Sequence, residues 1–182
     1  MKTILALDIS TSCTGYTVIN SENTVLDIDY INLSKYNTLY DKASHVKSVL
    51  TEVVKKYNID CIAVEENLQA FRPGLSSAKT LMTLAQFNGV VRWICFEAFN
   101  IEPVSINVNA ARKAIGLKVD KKLNASTKEQ VLAWVTNEEP DIHWPVKEVS
   151  RGRNKGQLQL ESWSYDMADS YVIGRAFIVE NC

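Results

Sequence analysis

The stretch Thr3-Ile4-Leu5-Ala6-Leu7-Asp8-Ile9-Ser10-Thr11-Ser12-Cys13-Thr14-Gly15-Tyr16-Thr17-Val18-Ile19 decides the fold. Thr3 to Leu7 is a nearly continuous apolar run that ends on Asp8, Ser10 to Thr14 is rich in serine and threonine, and Gly15 to Ile19 opens a second run. Apolar runs bounded by small polar residues read as a buried strand, a tight turn and a returning strand. Ser21-Glu22-Asn23 makes another polar turn, after which Val25 to Leu33 mixes apolar and acidic residues with a rough period of two, as an exposed sheet strand does. Three strands joined by short turns form an antiparallel meander.

Further along, Ala43, Val46, Leu50, Val53, Val54 and Tyr57 recur at intervals of three and four, the mark of an amphipathic helix over Tyr40 to Tyr57. Asp60 to Glu65 is then a short apolar strand ending in an acid. A strand reached through a helix usually lies parallel to an earlier one, so Asp8 and Glu65 are expected to end neighbouring parallel strands. Ser76 to Phe99 reads as a long helix whose apolar residues cover more than one stripe; its second side calls for either a subunit interface or further burial within the chain. Val104, Ile106 and Val108 alternate as a fifth strand, Asn109 to Leu117 suits a short helix, and Ser126 with Glu129 has the spacing of a capping box opening a helix to about Val135. Residues 137–160 carry two prolines, His143-Trp144 and Arg151-Gly152-Arg153-Asn154-Lys155-Gly156, a composition that opposes helix and reads as an insertion or flap. Ser162 to Val179 is helical in period, and places Asp166 and Asp169 on one face about one turn apart.

The 182 residues, 46% of them hydrophobic, suit one globular domain spanning 1–182. The cysteines Cys13, Cys61, Cys95 and Cys182 are scattered, without a CxxC pair or neighbouring histidines, which argues against a zinc site or a disulfide framework and fits a reducing compartment. No apolar run reaches membrane-spanning length, and the expectation is a cytoplasmic protein without a membrane partner. A net charge of −1 carries no overall footprint for nucleic acid; the local basic segments are Lys118 to Lys122 and Arg151 to Lys155.

Each acid alone is ordinary: Asp8 could be a turn-former, Asp166 and Asp169 solvated surface charges. Glu65 and Glu66 are neighbours that point to opposite faces of a strand, and alternation leaves open which one joins Asp8. Together, two acids at strand ends and a helical pair can converge at the carboxyl ends of a sheet, where their repulsion must be relieved by cations. An oxygen-only donor set favours Mg²⁺ or Mn²⁺ over zinc. Two such ions, about 3.5–4 Å apart, can activate water and stabilise the leaving oxygen of a phosphodiester. No nucleophilic side chain is then needed, consistent with the lack of a Ser-His-Asp or Cys-His arrangement.

Through Leu5-Ala6-Leu7-Asp8 with Gly15-Tyr16, Ile62-Ala63-Val64-Glu65 and Asp166-Met167-Ala168-Asp169, in that order and separation, the sequence resembles the RuvC family of Holliday junction resolvases. The resemblance covers most of the chain and implies a ribonuclease H-like α/β fold: a mixed five-stranded sheet, three strands in an antiparallel meander and two parallel, flanked by helices. It implies Asp8, Glu65, Asp166 and Asp169 as the metal-binding and catalytic acids, choosing Glu65 over Glu66, with two Mg²⁺ ions per site that Mn²⁺ can replace. It puts Lys128 close to the cleaved phosphate. Arg112 and Lys113 fall in the segment that carries DNA-contacting residues, and Lys121, Lys122, Arg151, Arg153 and Lys155 are further candidates for that role.

The partner so implied is branched DNA, four-way junctions above all, cut by a homodimer in a bacterial or phage-infected cell, with an organellar or other viral origin as the alternative. Two features depart from the family pattern. Residues 137–160 intervene before the final acidic pair, and Phe71, the nearest candidate for the family's junction-wedging aromatic residue and with Arg72 an expected DNA contact, is displaced from that residue's position. Other readings are a nuclease of the same fold acting on flaps, forks or structured RNA, and an actin-like phosphotransferase, for which Leu7-Asp8-Ile9-Ser10-Thr11-Ser12 with Gly15 would be the phosphate loop. The phosphotransferase needs a second, related domain that this length does not supply, and a catalytically silent DNA-binding module would set four acids against phosphate.

Overall fold

The computed structural model describes residues 1–66 and 77–181. Phe71 and Arg72 lie outside them. The chain forms β1 (Thr3–Ile9), β2 (Cys13–Asn20), β3 (Val25–Asn32), α1 (Leu39–Tyr57), β4 (Cys61–Glu65), α2 (Ala78–Phe99), β5 (Val104–Ile106), α3 (Val108–Ala114), α4 (Thr127–Glu138), β6 (Val146–Glu148), β7 (Leu158–Leu160) and α5 (Trp163–Asn181). The main sheet has the order β3-β2-β1-β4-β5; β1, β2 and β3 pair antiparallel, whereas β4 runs parallel to β1 and β5 parallel to β4.

Strand β1 is central and buried throughout, which is why its sequence is apolar without interruption. Its period of two still sorts the side chains. Leu5, Leu7 and Ile9 enter the core shared with α1 and α2, while Ile4 and Ala6 enter the core shared with α3, α4 and α5. Asp8 has the parity of Ile4 and Ala6 and so faces α5. In β4, Ile62 and Val64 take the first core and Ala63 the second, so Glu65 shares the face of Asp8. Glu66 lies beyond the strand.

Local chemistry fixes the helix ends. Thr38, Ser77 and Ser126 accept hydrogen bonds from the third residue into α1, α2 and α4, and Ser126 with Glu129 completes the expected capping box. Asn58 and Asn100 end α1 and α2 in the left-handed conformation. The fifth strand is shorter than its alternation suggests: the Asn107 side chain accepts from the amides of Asn109 and Ala110, so Val108 starts α3 instead of extending β5. Helix α4 runs past Val135 to Glu138, and residues after it form an antiparallel hairpin of β6 and β7. Its turn holds Arg151, Arg153 and Lys155, all exposed.

Helix α2 turns Phe87, Val91, Ile94 and Cys95 inward. Its other side leaves Met82 65%, Trp93 62% and Phe96 48% exposed, with the Trp93 and Phe96 rings tilted together at 5.8 Å. Among the described residues, burial therefore does not account for the second apolar stripe. No helix among the described residues is long and apolar enough to cross a membrane.

Candidate active site

Helix α5 lies on β2 with its backbone almost in contact. A Cβ on Gly15 would stand 2.1 Å from the Asp166 carbonyl oxygen and 2.2 Å from its carbon, so only glycine fits there. Two residues further along the strand, Thr17 Oγ1 and Ser170 Oγ share a buried 2.7 Å hydrogen bond. Two further still, a Cβ on Gly174 would meet Ile19 at 3.1 Å and Ala6 at 3.2 Å. The spacing works because two strand residues advance about 6.7 Å and four helical residues about 6 Å. Trp163 stacks on Tyr30 of β3 at 6.1 Å and anchors the start of the helix. Gly15 is also the register partner of Asp8, so the close approach brings the first turns of α5 to the end of β1.

The result is a cleft of about 240 Å³ lined by Asp8, Glu65, Asp166 and Asp169 together with Arg112 and Lys128, with Ser10, Glu66, Leu84 and Asn88 at its walls. Burial raises the Asp8 carboxyl well above the usual range, and the charges of Glu65, Asp169 and Asp166 raise it further. Burial also raises Glu65, partly offset by its hydrogen bond with Asp8. Asp166 and Asp169 are raised by burial as well, against the opposing pull of Lys128 on the first and of Arg112 on the second. Lys128 Nζ stands 3.6 Å from Asp166 and Arg112 Nη2 3.3 Å from Asp169. Burial works against the Lys128 charge, but Asp166, Asp169 and Asp8 outweigh it and hold the ammonium above its ordinary range.

The donor set fits a hard divalent cation, because oxygens predominate and the acids repel one another. Among the described residues, no three His, Cys, Asp or Glu side chains yet converge on one point closely enough to hold an ion. Two of the acids are paired with cations and two with each other, so ion binding must displace these pairings.

The four acids and Lys128 thus share one cleft. Arg112 points into it as well, only 17% exposed, and also borders a second hollow of about 370 Å³ lined by Lys113, Lys118, Lys121, Asn109 and Thr127. Lys122, next in the chain to Lys121, is exposed, while Arg151, Arg153 and Lys155 are exposed on the hairpin turn and line neither the cleft nor the hollow.

Three contributors escape a reading by residue type. Gly15 acts by having no side chain, and a glycine inside a strand is the available signal for close backbone approach. Cys13 hydrogen-bonds Asp166, and burial followed by that carboxylate pushes its thiol pKa up. Asn107 donates to Glu66 at 2.9 Å while capping α3, which carries Arg112.

Comparison with known proteins bears on the fold and the family. Residues 4–137 match the family model of the crossover junction endodeoxyribonuclease RuvC. No curated protein sequence matches. Among solved structures, Thermus thermophilus RuvC in complex with a Holliday junction substrate superposes with a TM-score of 0.65 at 13% identity, covering 100% of this chain and 97% of that one. A further T. thermophilus RuvC structure gives 0.63 at 16% identity, covering 97% and 93%. The yeast mitochondrial Holliday junction resolvase Ydc2 gives 0.54 at 16% identity, covering 98% and 78%. At such identities the structures speak for the fold, a ribonuclease H-like sheet of five strands. The family match spans most of the chain, from β1 through α4, and on it the chain belongs to the RuvC family of crossover junction endodeoxyribonucleases.

Proposed function

We propose that this nuclease resolves four-way DNA junctions by paired phosphodiester hydrolysis, with Asp8, Glu65, Asp166 and Asp169 holding the divalent cations on which the family depends. Mg²⁺ is the physiological ion in this reading, two per site, with Mn²⁺ as a substitute. The observation that carries the proposal is the meeting of four carboxylates from β1, β4 and α5 in one cleft with two cationic side chains. Bound there, the cations supply Lewis-acid polarisation of the phosphate and a more acidic attacking water.

The side chains do the rest. Asp8 and Glu65 from the strand ends and Asp166 and Asp169 from α5 would hold the cations between them. Lys128, more than half exposed at the mouth of the cleft, is placed to neutralise charge developing on the phosphate. Arg112, Lys113 and Lys121 border the adjoining hollow, and with Lys122 they would take up backbone phosphates.

We take residues 1–182 as one nuclease domain in which 137–160 is an insertion, its Arg151, Arg153 and Lys155 reaching a DNA arm. Symmetric incision needs two sites related by a twofold axis, and the exposed Met82, Trp93 and Phe96 stripe of α2 is the surface assigned to a homodimer contact. The cytoplasm of a bacterial or phage-infected cell is the setting this implies.

The test compares wild type with Asp8→Asn on labelled four-way, flap and linear DNA, with and without Mg²⁺. Mg²⁺-dependent paired nicking of the four-way substrate, lost in the variant, is the expected result. Equal activity of the two proteins would remove Asp8 from the site, and preference for the flap would reassign the substrate.

A further inference from the structure

Arg112 belongs to two places at once. Its guanidinium pairs with Asp169 inside the acidic cleft, and the same side chain borders the hollow lined by Lys113, Lys118 and Lys121. Its hold on Asp169 is poor for an arginine: one contact of 3.3 Å, where a carboxylate can accept two shorter parallel bonds from the guanidinium fork. Its Nε is buried and makes no hydrogen bond among the described residues. A buried donor left unpaired destabilises the arrangement that strands it. The guanidinium is therefore held by charge, that of Asp169 in direct contact and that of Glu65 nearby, both acids a metal would require.

We propose that Arg112 is a transferable counter-ion: it occupies Asp169 in the DNA-free protein and passes to a backbone phosphate when a strand enters the lysine-lined hollow, freeing Asp169 for the cation. A phosphate satisfies the guanidinium fork better than the single long contact does, and can engage Nε as well. Lys128 does not serve the same purpose, because it lies at the mouth of the cleft and does not border the hollow. DNA and divalent cation then bind with positive coupling, and the coupling is reciprocal. The protein without DNA holds metal weakly, which limits wasteful hydrolysis of whatever phosphate diffuses past.

This inference rests on the reading of the four acids as the cation site, and the experiment separates the two. Ca²⁺ binding is measured by titration calorimetry for wild type, Asp8→Asn and Arg112→Gln, each alone and with a four-way junction. Wild type is expected to bind Ca²⁺ about tenfold more tightly with DNA present. Arg112→Gln is expected to bind Ca²⁺ more tightly than wild type without DNA and to show a much smaller gain on adding it. If Arg112→Gln does not fold, Arg112→Lys, which keeps the charge but not the fork, is expected to show a gain below that of wild type. A gain equal to wild type in the folded variant overturns the proposal. Loss of Ca²⁺ binding in Asp8→Asn alongside such a result would leave the acids as the cation site and remove only the role of Arg112. Undiminished Ca²⁺ binding in Asp8→Asn would remove both.

Discussion

Replacing Gly15 with alanine tests the geometry on which the cleft depends. The new Cβ would lie 2.1 Å from the Asp166 carbonyl oxygen and 2.7 Å from the Met167 nitrogen, and these are backbone atoms that cannot rotate away. To restore even a tight contact, α5 must withdraw by about 1 Å at its first turn. Overpacking of this kind costs about 1–3 kcal/mol, and the upper part of the range applies where backbone meets backbone and the buried Thr17–Ser170 hydrogen bond lies one step away. For a chain of this size that lowers Tm by roughly 4–12 °C if the cost is about 2–3 kcal/mol. The same movement carries Asp166 and Asp169 away from Asp8, and a misplacement of about 1 Å in a catalytic array costs on the order of 100-fold in rate. Calorimetric unfolding with single-turnover cleavage of a junction in Mg²⁺ reads both. A Gly15→Ala protein with wild-type Tm and wild-type rate would refute the reasoning, because it would mean that α5 does not need to lie against β2 to build the site.

Further outcomes follow from other parts of the structure. The folded protein without metal binds protons at Asp8 more tightly than the unfolded chain does, so its stability falls as pH rises from the ordinary aspartate value of about 4 through the raised one. Asp8→Asn should accordingly unfold at a higher temperature than wild type at pH 7 in EDTA, with the gap closing towards pH 4; a gap that stays constant with pH would show that Asp8 repulsion is not its source. Replacing Arg151, Arg153 and Lys155 with alanine should reduce the salt dependence of junction binding by a slope of up to about 2.7 if each side chain meets one phosphate. An unchanged slope would leave the hairpin turn outside the DNA interface. Trp93→Glu should shift sedimentation towards the monomer while leaving the α2 core face intact, and an unaltered distribution would move the dimer contact elsewhere.

Much of the fold can be read from side-chain pattern because the physics is local there. The β1–β2–β3 meander, α1 and the Ser126–Glu129 cap depend on neighbours a few residues apart, and the structure has each of them. The strand parity that aims Asp8 and Glu65 at one face is also a sequence property, although it becomes decisive only once α5 is known to cover that face. What the pattern could not reveal depends on distance through space. Arg112 is placed by the resemblance with Lys113 among the DNA contacts, yet α3 aims it at Asp169. Strands β6 and β7 have three residues each, too few for a period to emerge. Val108 fits a strand by alternation, but a side-chain cap from Asn107 takes it into a helix. Gly15 reads as the start of the returning strand and acts as a docking point because a helix that begins more than 140 residues later, at Trp163, lies against it.

That last contact also bears on a chain that is only partly made. While the chain is being made, β1 to β4 leave the ribosome carrying only Asp8 and Glu65, and the sheet face that α5 will cover still shows Ile4, Ala6, Ile19 and Ala63 to water. Until Trp163 to Asn181 has been synthesised and has settled onto β2, half of the acids are missing and the sheet is only half insulated. On the proposed reading of the four acids, a chain lacking α5 would lack Asp166 and Asp169, and with them half of the cation site.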